Sequence, residues 1–167
     1  MRTSNLAMAS RAMIRGLNHH LVRSKPWLAR LQASGRGDPF VLALLLTETF
    51  FRRPTDRAAE YLAWLGLGLL WPGRARRLSV GVAQLQVRHW KRLQQWESNR
   101  LTPARLAETL RVAANYDACE RFLYESAGAA PMSTQRVAAI YRGEARSYHV
   151  SVLQRAVTFA LGARNVV

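Results

Sequence analysis

The sequence predicts an all-α fold, and three observations carry that prediction. The chain has 167 residues, of which 49% are hydrophobic, so it can bury a sizeable core. Leu and Ala recur at helical spacing, whereas alternating runs of β-branched residues are scarce. Helix-start signals such as Asp38-Pro39 and Thr102-Pro103 appear along the chain. We therefore expect about seven or eight helices joined by short links.

No internal repeat or linker interrupts the chain, so we expect residues 1–167 to form a single domain. Within it, residues 1–37 are predicted to be a helical extension that packs on a core of residues 38–161. The first helix is expected to run from about Ser4 to Val22. It should end before Pro26, because proline removes a backbone donor and clashes with the preceding turn.

The central element is predicted to be the helix from Phe40 to Phe51. Asp38 stands at the N-cap position and Pro39 at the first helical position, which is a strong start signal. The segment that follows is apolar almost all round, as is typical of a helix buried in the middle of a domain. Pro54 is expected to stop it.

Five further helices are expected after the central one. Thr55 is predicted to cap the first and Ser133 the fourth. In the third, Leu106 and Leu110 are expected on the buried face. The five are predicted over about 56–70, 84–97, from Pro103 with a break near Asn115, from Ser133 to Arg142, and 148–161.

Glu48 is the first candidate for chemistry. A carboxylate in the last turn of an apolar helix is disfavoured as an anion by burial and by the negative end of the helix dipole. Both effects are expected to raise its pKa, which is what a general acid working near neutral pH needs. The alternative is a salt bridge from Glu48 to Arg52 or Arg53.

The second candidate is the turn SVGVAQ, from Ser79 to Gln84. Ser79 offers a hydroxyl, Gly81 bare backbone and Gln84 an amide, and these groups suit the N-acetyl and hydroxyl edges of a sugar. Gln84 is expected to open an amphipathic helix. The alternative interpretation is an ordinary helix start.

Two tyrosines form the third candidate. Tyr141 is expected at a helix end just before Gly143, and Tyr148 follows the turn. A tyrosine hydroxyl beside a protonated carboxyl can orient its proton, although an aromatic at such a position also suits a core. Trp90 and Trp96 are likewise candidates either for the rim of a cleft or for the core.

Taken in order, these features resemble the lysozyme-like superfamily, and in particular the lytic transglycosylases that cleave peptidoglycan. In that family a catalytic Glu closes a buried helix and a Gly-Leu-Met-Gln turn lines the cleft. Glu48 matches the catalytic position. Ser79, Gly81 and Gln84 match the turn, which here reads Gly-Val-Ala-Gln.

The resemblance spans roughly Phe40 to Ala156, most of the chain. Asn115 resembles the family's asparagine ahead of a long helix, and Tyr141 and Gly143 match its final Tyr-Asn-Gly segment. Arg142 departs from that segment. Thr49 stands where the family has Ser, and where the related peptidoglycan glycosyltransferases have a second acidic residue. The resemblance therefore favours a lytic enzyme over a polymerase.

The resemblance implies cleavage of the bond between N-acetylmuramic acid and N-acetylglucosamine in peptidoglycan glycan strands. Glu48 would act as the single acid and base, and the muramic 6-hydroxyl would attack to give a 1,6-anhydro product. Ser79 and Gln84 would hold the sugar, and Tyr141 would orient Glu48. Such a reaction needs no cofactor.

Hydrolysis with two carboxylates needs a second acid at a defined separation. The nearest in sequence, Asp56 and Glu60, are expected on the solvent side of an Arg-flanked helix, outside the cleft. Asn115, Tyr148 and Arg52 are expected at the rim of the cleft or behind the residues that line it. No metal site is expected, because the four histidines and the single cysteine lack ligand spacing.

The charge balance indicates a polyanionic partner. The chain has 25 Lys+Arg and 10 Asp+Glu, a net charge of +15, and such a chain is drawn to anionic surfaces. Peptidoglycan carries peptide carboxylates, and the envelope around it carries anionic lipid or polymer. Two alternatives remain open: a basic helical nucleic-acid-binding regulator, and an inactive lysozyme-like interaction module.

The expected place of action is the bacterial periplasm or cell wall. The first residues lack the uninterrupted apolar run of a secretory signal, which leaves the export route open. We expect a monomer and no specific nucleic-acid partner.

Overall fold

The computed structural model describes residues 2–142 and 147–164, with side chains over 12–141 and 150–162. Of the chain, 76% is helical, in nine helices within those ranges, so the all-α prediction is confirmed. The elements in order are α1 (Arg2–Ala33), α2 (Pro39–Phe51), α3 (Pro54–Leu70), α4 (Pro72–Ala75), β1 (Ser79–Val80), β2 (Leu85–Gln86), α5 (Val87–Leu93), α6 (Pro103–Leu110), α7 (Val112–Ala127), α8 (Thr134–Arg142) and α9 (Ser147–Arg164).

Helix α1 is longer than predicted, because it runs through Pro26 without ending. A buried stripe on both sides of the proline explains the continuation: Leu17 and Leu21 precede it, and Leu28 and Leu31 follow it in helical register. Pro26 itself is exposed. Burying four leucines against α2 and α9 outweighs the local cost of the proline, which is about 3 kcal/mol.

Helix α2 is the central buried element, as predicted. Asp38 caps it through Oδ1, which accepts from Phe40 N and Val41 N at 2.9 Å each, and such a cap is worth about 1 kcal/mol. Every residue from Val41 to Glu48 is buried. The helix packs against α1, α7 and α9, so its apolar circumference is covered on all sides.

Two predicted helix starts are wrong. Pro54, expected only to stop α2, is the first residue of α3, and the N-cap is Arg53 rather than Thr55. The Asp56 carboxylate accepts from Arg53 N at 3.0 Å, so Asp56 supplies the cap. The larger difference is at Gln84: the chain forms the hairpin β1–β2, and α5 begins only at Val87.

A hairpin forms here instead of the expected helix start because of the backbone geometry at the two ends of its turn. Gly81 has φ 80° and Gln84 has φ 52°, both in the left-handed region that ends a helix or closes a turn. Ser79 pairs with Gln86, and Val80 with Leu85. The four residues between the strands form a tight turn that lies against the helical layer.

The helix opened by Thr102 breaks at Arg111, four residues earlier than predicted. Thr102 caps α6 as expected, by accepting from Arg105 N, and Ser133 caps α8 by accepting from Arg136 N. Leu110 is exposed rather than part of the inner stripe, because the break turns the end of α6 outward.

The tryptophans Trp90 and Trp96 belong to the core and not to a cleft rim. Both are buried. They stack on each other with ring centroids 5.9 Å apart, and Trp96 stacks on Trp64 at the same distance. The guanidinium of Arg105 lies 5.1 Å from the ring of Trp96, the middle ring of the three.

Among the described residues no helix is both long enough and apolar enough to cross a membrane.

Candidate functional site

Glu48 lies three residues before the end of α2 and is 1% exposed. It faces helix α7. Burial raises the pKa of the Cys119 thiol well above its usual value, and the nearby Glu48 charge raises it further. The carboxyl is therefore inside the domain, as the sequence predicts for a helix-end acid in an apolar helix.

Asn115, near the start of α7, connects the hairpin turn to α6 and α7 through hydrogen bonds. Its Oδ1 accepts from Ala83 N at 3.0 Å, and its Nδ2 donates to Thr109 O at 2.7 Å and to Arg111 O at 2.8 Å. Asn115 is completely buried. Its amide is fully used inside the protein, so its role is to shape the turn from behind.

Position 81 requires glycine for a steric reason, in addition to its positive φ. A Cβ at this position would collide with Asn115 Oδ1 and lie 3.0 Å from Thr109 O. The turn therefore approaches α6 and α7 more closely than any side chain allows.

Gln84 closes the turn with its side chain buried. Its Nε2 donates to Glu60 Oε2 at 2.9 Å and to Gly81 O at 3.0 Å. Its Oε1 has no hydrogen-bond partner among the described residues. Both amide protons are taken by acceptors, which fixes the orientation of the side chain and leaves its acceptor oxygen buried.

Glu60 is the site residue that the sequence interpretation missed. It was expected on the solvent side of α3, but its carboxylate is mostly buried and joins Gln84 to Arg52, whose Nη1 lies 2.9 Å from Glu60 Oε1. Arg52, the C-cap of α2, thus pairs with Glu60. The helical spacing of α3 indicates this position, because Glu60 lies one helical turn before the buried Trp64 and so shares its face of the helix.

A cleft of about 330 Å³ opens beside the hairpin. It contains three of the residues predicted from the sequence: Ser79, Gln84 and Tyr141. The remaining lining residues come from β2, α5, α7 and α8: Leu85, Gln86, Arg88, His89, Phe122 and Ile140. Gly81 and Asn115 lie behind the turn, and Glu48 is not among the lining residues.

The cleft combines hydrogen-bond acceptors with an aromatic wall. Gln86 Oε1, like Gln84 Oε1, is buried without a hydrogen-bond partner among the described residues. The rings of His89 and Phe122 lie 4.6 Å apart, and Phe122 meets Tyr141 edge-on at 6.0 Å. Such a lining suits a neutral ligand that offers hydroxyl or amide protons along one edge and C–H groups along the other.

His89 is a neutral side chain at physiological pH. Burial lowers its pKa below 6.5, and the charges of Arg88 and Arg92 lower it further. In the part of the chain that the structure describes, no group of His, Cys, Asp and Glu can hold a metal ion.

The last predicted segment is only partly described. Tyr141 is half-buried in the cleft wall. The side chain of Tyr148, predicted at the rim of the cleft, and all of Gly143, which matches the family's final segment, lie outside the described residues, as does the Arg142 side chain.

No family model, no curated protein and no solved structure matches the chain.

Proposed function

We propose that this protein cleaves peptidoglycan glycan strands as a lytic transglycosylase, with Glu48 as its acid and base. The observation that carries this is the cleft shared by Ser79, Gln84 and Tyr141. The first two come from a hairpin and the third from α8, and all were selected from the sequence as residues that would hold a sugar or orient the acid. Glu48 is a buried helix-end carboxyl that does not line this cleft.

One carboxyl group is sufficient for this reaction, because it acts first as the acid and then as the base. Glu48 gives its proton to the glycosidic oxygen as the bond from that oxygen to C1 of N-acetylmuramic acid breaks. The resulting carboxylate then takes the proton of the muramic 6-hydroxyl, whose oxygen forms the new bond to C1. The product carries a 1,6-anhydro ring, and Glu48 is protonated again. No second carboxylate is required, which sets this reaction apart from two-carboxylate hydrolysis.

Substrate recognition would come from the unused acceptors of the hairpin. Both oxygens, Gln84 Oε1 and Gln86 Oε1, are buried, and when the cleft opens they would accept from the N–H of an N-acetyl group or from a sugar hydroxyl. Ser79 adds a hydroxyl at the same edge. The faces of His89 and Phe122 provide the apolar wall on which sugar C–H groups pack.

Glu48 must be reached before it can act. It is 1% exposed, so cleavage requires that the cleft opens toward the end of α2 when a strand binds. The same burial favours a second candidate function, an inactive lysozyme-like module that binds glycan strands without cutting them. A nucleic-acid reader is less well supported, because Asn115 and Tyr116 at the start of α7 are buried rather than presented to a groove.

The test compares Glu48→Gln with the unchanged protein on purified, insoluble peptidoglycan. We expect the unchanged protein to release soluble fragments whose masses carry the 1,6-anhydro end, and Glu48→Gln to release none. Circular dichroism and thermal unfolding establish that the variant is folded. Glu125→Gln is the matched control, because Glu125 is an exposed carboxylate paired with exposed Arg92, and it should leave cleavage unchanged.

The two candidate functions give different results. Binding of peptidoglycan without release of fragments by the unchanged protein would support the inactive module. Fragments with reducing ends instead of anhydro ends would replace the transglycosylase by a hydrolase. Release of fragments by folded Glu48→Gln at the normal rate would remove Glu48 from the mechanism.

A further inference from the structure

Helix α3 turns an unbroken apolar face to solvent. From Ala58 onward the exposed positions of this helix carry no polar side chain; they are Ala58, Ala59, Leu62, Leu65, Leu69 and Leu70. Leu62, Leu69 and Leu70 are 69%, 63% and 67% exposed. The opposite face, with Tyr61 and Trp64, packs inward. Such a continuous stripe on one helix differs from the single exposed leucines found on most surfaces.

The stripe ends in an aromatic and basic corner. Trp71, directly after α3, is exposed, and the guanidinium of Arg74 lies 6.0 Å from its ring. Arg74, Arg76 and Arg77 are all exposed in the short segment that follows. A leucine face followed by tryptophan and arginine is typical of a helix that lies in a membrane interface. In such a helix the indole and guanidinium groups occupy the headgroup level.

We propose that the outer face of α3, together with Trp71 and the three arginines, docks this protein on the surface of an anionic lipid bilayer. The stripe from Leu62 to Trp71 is about 13 Å long, which suits a helix that lies flat in the interface. The leucines enter the acyl boundary, and the arginines contact lipid phosphates or carboxylates.

The net positive charge of the chain favours an anionic bilayer, rather than a second copy of the chain, as the partner of this face. A dimer through this face would bring together two proteins that each carry +15, which costs electrostatic free energy. An anionic bilayer gains from the same charges. The docked face is also separate from the cleft, because none of the cleft-lining residues belongs to α3. Membrane docking therefore does not depend on the proposed enzymatic activity.

The first test is co-sedimentation with vesicles of phosphatidylcholine alone and of phosphatidylcholine with 30% phosphatidylglycerol. We expect binding to the anionic vesicles, weakened but not abolished by raising the salt concentration. Leu62→Gln/Leu69→Gln should weaken it by about tenfold or more. Arg74→Gln/Arg76→Gln/Arg77→Gln should weaken it by about fivefold per arginine at low salt.

Matched controls have the same chemical change elsewhere on the surface. Leu110 on α6 and Leu161 on α9 are exposed leucines outside the stripe, and Leu110→Gln/Leu161→Gln should bind vesicles like the unchanged protein. Because all these positions are exposed, the variants are expected to stay folded.

A second test locates the docked residue. Lipids brominated in their acyl chains should quench tryptophan fluorescence of the unchanged protein, and Trp71→Phe should lose most of that quenching while remaining bound. Equal binding by the stripe and control variants, or an absence of binding to anionic vesicles, overturns the proposal. Concentration-dependent dimerisation that is lost in Leu62→Gln/Leu69→Gln, without vesicle binding, would assign the face to a second copy instead.

Discussion

The Gln84 side-chain amide donates to the Glu60 carboxylate over 2.9 Å, and this bond sets the orientation of the amide beside the cleft. An inverted amide would bring Gln84 Oε1 against the Glu60 carboxylate, two acceptors without a proton between them. Arg52 holds Glu60 from the other side. The C-cap of α2, helix α3 and the hairpin turn are thereby coupled at one point.

Glu60→Gln should weaken binding of peptidoglycan fragments by about tenfold, because a neutral amide partner lets the Gln84 side chain invert and turns its acceptor away. We expect a loss of about 1 kcal/mol in stability, since the ion pair to Arg52 is partly exposed. Calorimetric titration and denaturant unfolding measure the two effects.

Asp56→Asn is the control on the same helix. It weakens the cap at Arg53 and should cost stability without changing fragment affinity. If Asp56→Asn and Glu60→Gln reduced affinity equally, the bond between Gln84 and Glu60 would have no special part in recognition.

Gly81→Ala should destabilise the protein by about 2–4 kcal/mol. The added methyl group meets Asn115 Oδ1 and Thr109 O, and the residue must keep φ 80°. Gly66→Ala is the matched change inside α3, where a Cβ meets nothing within 4 Å, and it should stabilise by about 0.5–1 kcal/mol. Urea unfolding of both variants checks the opposite signs.

The stability of the protein should fall as the pH is lowered below about 6.5. Burial lowers the pKa of His20, whose Nε2 lies 3.2 Å from Leu46 O and 3.0 Å from Thr49 Oγ1. The folded state therefore binds this proton less readily than the unfolded chain, so protonation favours unfolding. His89 has a pKa shift in the same direction and adds to the effect.

His20→Gln tests the contribution of one histidine, because its amide can keep a hydrogen bond to Leu46 O or Thr49 without titrating. Unfolding free energies measured between pH 7.5 and pH 5 should fall less steeply in this variant than in the unchanged protein. An unchanged slope would place the titration elsewhere. The imidazole of His20 thus joins α1 to α2.

Tyr141→Phe should reduce the rate of peptidoglycan cleavage about tenfold while leaving substrate affinity near its normal value. The ring contact with Phe122 is kept, and only the hydroxyl that would orient Glu48 is lost. A rise in KM with an unchanged kcat would assign Tyr141 to sugar binding instead.

The helical class, the start of α2 at Asp38-Pro39 and the burial of Glu48 could be predicted from the sequence. Three predicted site residues, Ser79, Gln84 and Tyr141, line one cleft. Signals of this kind are local: a cap, a proline or an apolar run acts within a few residues, so it can be identified along the chain. The course of α1 through Pro26 and the hairpin at Gly81–Gln84 were decided by the tertiary structure. In α1 the leucine stripe outweighs the proline, and at the turn Asn115 supplies an acceptor 32 residues away from Ala83. The bond between Glu60 and Gln84 spans 24 residues; because it depends on how α3 packs against the hairpin, only the folded chain brings these two side chains together.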